Sequence, residues 1–190
     1  MRTAALCAGL IVAGGALAQN GDPLMSQTRQ QVVPVLPKVV AMMRSTVKAE
    51  GAAGAIPVCR EKAPALMKER AAALGWQIRR VSLKTRNPER GTPDVWEARQ
   101  LAEFNLRAAA GEQPGAIEAG EIVTRPDGRQ AYRYMKALPV AQVCLNCHGE
   151  AASLPADLKA ALARNYPQDR ATGYQLGEIR GALTVIRPLP

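Results

Sequence analysis

Between residues 25 and 50 the apolar positions Val39, Val40, Met42, Met43 and Val47 are interspersed with charged residues at helical spacing. Pro34 and Pro37 predict a break or kink in the early part of this stretch, and Gly51 and Gly54 predict its end. Ile56, Cys59, Ala63 and Leu66 then recur at three- and four-residue steps, one face of a second helix over about 55–74. Pro57 suits the first turn of that helix, Pro64 predicts a bend, and Gly75 follows its end. Trp76 to Leu83 alternates and predicts a strand.

A polar loop spans 84–94, and Thr92 with Pro93 signals the next helix start. Val95, Ala98, Leu101, Ala102 and Ala108 supply its apolar stripe, and a turn lies at Gly111–Gly115. Two strands follow, about 117–124 and 130–138, joined by the hairpin turn Pro126-Asp127-Gly128-Arg129. In the second strand Tyr132, Tyr134 and Lys136 fall on one side, and Arg133, Met135 and Ala137 on the other. Leu154, Leu158 and Leu162 mark a short helix, 173–181 reads as a loop, and Leu183–Arg187 is the last strand. There is no internal repeat and no low-complexity linker. The order predicts one α+β domain with an antiparallel sheet.

The first residues change this picture. Arg2, the apolar run Ala4–Leu17 and the small-x-small pattern Ala16-Leu17-Ala18 read as a secretory signal peptide over 1–18. The run is short for a membrane span, and no later segment is long and apolar enough. The expectation is a periplasmic or secreted protein of about 172 residues, starting near Gln19, with no integral membrane span after cleavage. The 190-residue chain carries 25 Lys and Arg against 16 Asp and Glu, a formal charge of +9, which becomes +8 without Arg2. Export argues against nucleic acid as the partner of this basic chain. A redox partner protein, acidic in character, or a membrane surface fits better. The oligomeric state has no signal in the sequence.

Of four cysteines, Cys7 leaves with the signal peptide, so Cys59, Cys144 and Cys147 remain. The last two sit in Cys144-Leu145-Asn146-Cys147-His148. This spacing lets two thiols add to the two vinyl groups of one haem, with His148 beneath the iron as proximal ligand. A zinc site needs more ligands than the chain offers. A thioredoxin-type pair belongs between a strand and a helix of a βαβ unit, whereas this motif follows Leu138-Pro139 and runs into Gly149. The expected cofactor is one haem c, covalently held through Cys144 and Cys147.

His148 is the only histidine, and no Met, His or Cys occurs after it. Bis-histidine ligation within one chain and the ordinary small cytochrome c plan, with its late Met ligand, are both excluded. The sixth iron position is left to Cys59, to a Met (25, 42, 43, 67 or 135), to a weaker ligand, or to an open site. The helical spacing around Cys59 points it inward, as a ligand or as an inert core residue. With the one His committed to iron, no Ser-His or Cys-His pair is available, so no enzymatic activity is expected.

Seven stretches in order resemble a known family: Ala55–Pro64, Val81–Pro88, Pro93–Glu97, Tyr132–Lys136, Cys144–Gly149, Ala171–Tyr174 and Ile179–Gly181. It is the family of exported c-type haem proteins with a PAS-like fold, often catalogued as a domain of unknown function. The resemblance implies a PAS-like haem domain over 51–190, preceded by a helical segment over 19–50. It also implies haem iron held by a histidine and a cysteine thiolate, positions that His148 and Cys59 occupy. Two strong ligands leave no open site for substrate, which points to electron transfer or redox response. The alternative is a gas or redox sensor in which Cys59 dissociates on reduction and a partner carries the signal. A four-helix-bundle haem enzyme also places its motif late, but the hairpin and final strand count against it. Met135, on the strand before the motif, is expected to line the haem pocket. Arg133, Arg180, Lys84 and Arg86 are candidates to pair with haem propionates.

Overall fold

The computed structural model describes residues 22–190. The signal segment 1–18, with Cys7, and the expected start near Gln19 lie outside the described residues. Helix α1 (Pro23–Val32) opens on Asp22, whose carboxylate accepts from the Leu24 N–H, with Pro23 in the first turn. Pro34 cannot continue that helix and instead stands at the start of α2 (Val35–Gly54). Inside α2, Gly51 leaves the helical region at φ 72° and ψ 179°, a conformation that glycine tolerates. The expected stop at Gly51 is thus a kink, and the helical hydrogen bonding closes at Gly54.

The expected second helix is split. Val58–Lys62 forms one wide π turn, and α3 (Ala63–Leu74) follows, closed by left-handed Gly75. Pro64 explains the split. In a regular α-helix its ring would press on the Arg60 carbonyl and its missing N–H would leave that oxygen without a donor. The wider turn relieves the clash, with the Ala63 N–H reaching back to the Val58 carbonyl. The freed Arg60 carbonyl accepts instead from Arg90 Nη1 at 2.8 Å.

Four strands, β1 (Gln77–Val81), β2 (Glu118–Thr124), β3 (Gln130–Pro139) and β4 (Ile179–Pro188), form an antiparallel sheet in the order β1-β4-β3-β2. The chain is α+β, as expected. Both sheet faces are covered. On one, Ile78, Tyr132, Tyr134, Leu183 and Val185 pack against Val32, Val35 and Met67 from the first three helices. On the other, Val81, Met135, Ala137 and Ala182 pack against Leu101 and Phe104 of α5 (Val95–Ala109). The predicted two-sidedness of β3 is therefore observed, with a different core on each side.

Strand β4 starts at Ile179, several residues before the apolar signal at Leu183. It is a central strand covered on both faces, and Ile179 to Val185 are all buried, Arg180 included. Gly181 permits this. Its φ is 155°, and a β-carbon placed there would lie 2.3 Å from the Val81 carbonyl oxygen. Gly181→Ala is expected to strain the backbone and push β1 from β4, costing on the order of 2 kcal/mol. In thermal unfolding Tm should drop by about 4–8 °C. An unchanged Tm would contradict this account of the close approach.

A third cluster joins α7 (Ala156–Asn165) to the C-terminal end of α2. Ile56, Cys147, Leu154, Leu158, Leu162 and Tyr166 are its core. Among the described residues no helix is long and apolar enough to cross a membrane.

Candidate functional site

Strand β3 ends at Pro139 with a shift of register after Leu138, and the chain turns directly into the cysteine motif. Gln142–Cys144 forms a 3₁₀ turn, followed by the single α-helical turn α6 (Leu145–His148). Helical spacing of three and four residues places Cys144, Cys147 and His148 together on one side of that turn. Gly149 ends it in extended conformation, and a β-carbon there would meet the Leu145 carbonyl oxygen at 2.8 Å. Cys147 is buried in the third cluster, which pushes its thiol pKa up, while Cys144 is part exposed.

His148 is fixed from behind. Its Nδ1 lies 2.6 Å from the Ala171 carbonyl oxygen, so Nδ1 carries the proton and donates it there. That leaves the Nε2 lone pair free, the tautomer a metal-binding histidine uses. The main chain secures the same junction. The Tyr174 N–H donates to the His148 carbonyl at 2.9 Å and the Gly173 N–H to the Gly149 carbonyl at 2.8 Å. The Tyr174 ring meets the imidazole edge-on at 6.3 Å between centroids. Burial, reinforced by the Arg180 and Arg86 guanidinium groups, holds the imidazole pKa well below its ordinary value, so His148 is neutral near pH 7.

A cavity of about 560 Å³ opens in front of this histidine, between β1, α3 and α4 (Pro88–Gly91). Cys59, Met67, Arg86, His148, Tyr166 and Arg180 all line it. The structure thus brings together the two residues the resemblance pairs, 89 positions apart in sequence. Cys59 stands on the π turn, part exposed, with its thiol donating to Met43 Sδ of α2 at 3.5 Å. The expectation that Cys59 faces inward holds, on a turn wider than the regular helix that the spacing predicts.

Two of the expected cationic residues reach the cavity. Arg86 pairs with Asp169 at 3.0 Å and donates to the Cys147 carbonyl at 2.6 Å. Asp169 in turn accepts from the Ala171 N–H at 2.8 Å, which steadies the carbonyl that holds His148. Arg180 places Nε 3.3 Å from His148 Nδ1 and donates to Ser82 Oγ at 2.8 Å. Its burial lowers its pKa to about 10, which still leaves it charged at neutral pH. Lys84 sits beside the site, its ammonium 4.3 Å from the centre of the Tyr174 ring.

Met135 and Arg133 are not brought to the cavity. Met135 is wholly buried on the opposite sheet face, against the α5 core. Arg133 points to that side too. It pairs with Asp94 at 2.8 Å and Glu97 at 3.2 Å, and lies 4.3 Å from the Trp96 ring centre. Strand alternation accounts for both: odd positions of β3 face α5, and the cavity lies on the far side. Ala171, Asp169 and Tyr174, which support His148, carry no signal of that role in the sequence. The stretch Ala171–Tyr174 was marked by resemblance, but a backbone carbonyl that orients a ring leaves no side-chain signature. Among the described residues no cluster of three or more His, Cys, Asp or Glu side chains forms a cage for a bare metal ion.

These features define an α+β protein whose sheet and helices hold a neutral histidine and a cysteine on one cavity, beside a Cys-x-x-Cys pair. The chain belongs to the Tll0287-like family, whose model matches residues 16–188. Among solved structures it is similar to the cyanobacterial haem-protein Tll0287, at 25% identity and a TM-score of 0.65, over 90% of this chain and 98% of that one. No curated protein matches the chain.

Proposed function

We propose that this chain is a haem protein, and more specifically that it carries one haem c through Cys144 and Cys147, with His148 and Cys59 as axial ligands. Its likeness to the cyanobacterial haem-protein supports haem binding. The observation that carries the finer reading is the Nδ1–Ala171 contact, which frees Nε2 of a neutral His148 on the cavity that Cys59 also lines. The donor set fits a haem iron: an oriented imidazole, two thiols beside it, a third thiol on the cavity, and a buried and a half-buried guanidinium group for carboxylates.

Haem bound there supplies one-electron chemistry at iron, with a thiolate ligand favouring the ferric form and lowering the reduction potential. The residues of the chain do the rest. Ala171 fixes the tautomer and direction of His148, and Asp169 fixes Ala171. Arg180 places positive charge against the imidazole, which disfavours a second protonation of the ring and moderates its donation of electron density. Arg86 and Arg180, both on the cavity wall, are the proposed partners of the propionate groups.

Two protein ligands leave no position for substrate, so the proposed role is electron transfer or redox response, without catalytic turnover. Export to the periplasm or the outside and an acidic partner complete the proposal, on the basis of the leading segment and the net positive charge. Ferric absorption spectra test the axial pair. The unaltered protein should show a thiolate-type spectrum and Cys59→Ala should lose it. A thiolate spectrum that survives in Cys59→Ala would sink the Cys59 assignment.

A further inference from the structure

We propose that Met43 is a second sulfur ligand for the iron of this site, occupying the sixth position when Cys59 leaves it on reduction. The inference rests on the haem reading above and adds a residue to it. Its basis is the contact between Cys59 Sγ and Met43 Sδ, 3.5 Å apart across 16 residues of sequence. Met43 does not itself line the cavity, but its sulfur touches the Cys59 sulfur that does. Small rotations about the three side-chain bonds of a methionine carry its sulfur across such a distance.

The other methionines are placed differently. Met135 is locked in the core on the opposite sheet face. Met67 lines the cavity but is packed among Ile78, Tyr134 and Leu183 at 5% exposure. Met25 lies with α1 against that same core. Met43 is half-buried on α2, and the hydrogen bond it accepts comes from Cys59 itself.

The two sulfurs differ in what they favour. A thiolate stabilises ferric iron by its charge, whereas a neutral thioether with histidine raises the potential and suits ferrous iron. The exchange balances simply. One electron from a one-electron donor reduces iron(III) to iron(II). The iron–sulfur bond to Cys59 breaks, and one proton from water converts the thiolate to a thiol. A bond from the Met43 sulfur lone pair to iron(II) then forms. No atom is transferred, and reoxidation with proton release reverses the sequence. The supports also differ: Cys59 rides on a turn already widened by Pro64, while Met43 sits in an unbroken stretch of α2.

The test uses the haem-loaded mature protein, with Met43→Leu and, as a control on the same helix, Met42→Leu. Ferric spectra establish that haem and Cys59 are in place in each. After reduction with dithionite, the unaltered protein and Met42→Leu should be six-coordinate and low-spin. Their rate of carbon monoxide binding should level off as its concentration rises, because Met43 must first depart. Met43→Leu should be five-coordinate when reduced, bind carbon monoxide at a rate proportional to concentration, and have a lower midpoint potential. Identical ferrous spectra and kinetics in Met43→Leu and the unaltered protein would overturn the proposal and leave the haem reading intact. Proton NMR of the unaltered ferrous protein gives an independent check. A methionine methyl resonance shifted strongly upfield by the haem ring supports ligation, and its absence overturns it. A chain that takes up no haem at all instead refutes the function proposed above.

Discussion

Replacing Cys144 and Cys147 together by serine is expected to abolish covalent haem. In denatured protein the mass should fall to that of the polypeptide alone, and haem staining on a denaturing gel should disappear. Each single replacement should leave one thioether and retain part of the stain. The expectation follows from the helical turn, which sets both thiols beside His148 within four residues. His148→Ala should act differently. It leaves both thiols but removes the imidazole oriented by Ala171, so any attached haem should show an altered ferric spectrum. Haem that extracts freely from the unaltered protein into acidified organic solvent would refute covalent attachment.

The second large effect lies away from the cavity. Glu97 is 1% exposed, yet its carboxylate ties four groups. It accepts from the Asp94 N–H at 2.8 Å as half of a capping box, and from Thr184 Oγ1 of β4 at 2.9 Å. It also pairs with Arg79 of β1 and with Arg133 of β3. Three strands and the start of α5 thus meet on one side chain. Glu97→Ala removes the acceptor and leaves the inward guanidinium of Arg133 with Asp94 alone. Breaking a buried ion pair by deleting one partner costs about 3–5 kcal/mol. Denaturant unfolding should show that loss as a lower midpoint. Glu97→Gln should fall between, since an amide keeps acceptor capacity and loses the charge. A loss below about 1 kcal/mol for Glu97→Ala would show that the network carries little net stability.

Glu97 also shows where a polar-apolar pattern misleads. The hydropathy pattern predicts Val95, Ala98, Leu101, Ala102 and Ala108 as the apolar stripe of α5. Val95 is 90% exposed, and the face that packs inward runs through Glu97, Leu101 and Phe104. A charged residue held by two arginines and a threonine occupies a core position, and no rule based on hydropathy assigns it there. The helix start was shifted for a related reason. The signal Thr92-Pro93 precedes the observed cap, Asp94, by two residues, because the carboxylate that receives the Glu97 N–H sets the boundary. The sequence predicts a shorter β4 because Arg180 and Gly181 look like loop residues, whereas their burial depends on Ser82 and Val81, far earlier in the chain.

The candidate site draws less on long-range contacts than the fold boundaries do. The motif 144–148 is contiguous, so its chemistry can be read locally. The place of Cys59 needed the resemblance, because the spacing on its own helix does not say what lies across the cavity. Met135 and Arg133 are close to the motif in sequence but face α5, away from the cavity. A strand turns every second side chain away.

The vacant carbonyl of Arg60 has a mechanical consequence. Pro64 denies it a helical donor, and the Arg90 side chain of α4 fills the gap at 2.8 Å. α4 is itself tied to the residue that follows β1, through the Ser82 N–H and the Gly91 carbonyl at 3.0 Å. The turn that bears Cys59 and the opposite rim of the cavity are therefore clasped, one residue after the thiol. Any displacement of the Cys59 turn would have to break that clasp or carry the 88–91 rim with it. The rim of the pocket and the Cys59 sulfur are thereby linked through one side chain, Arg90.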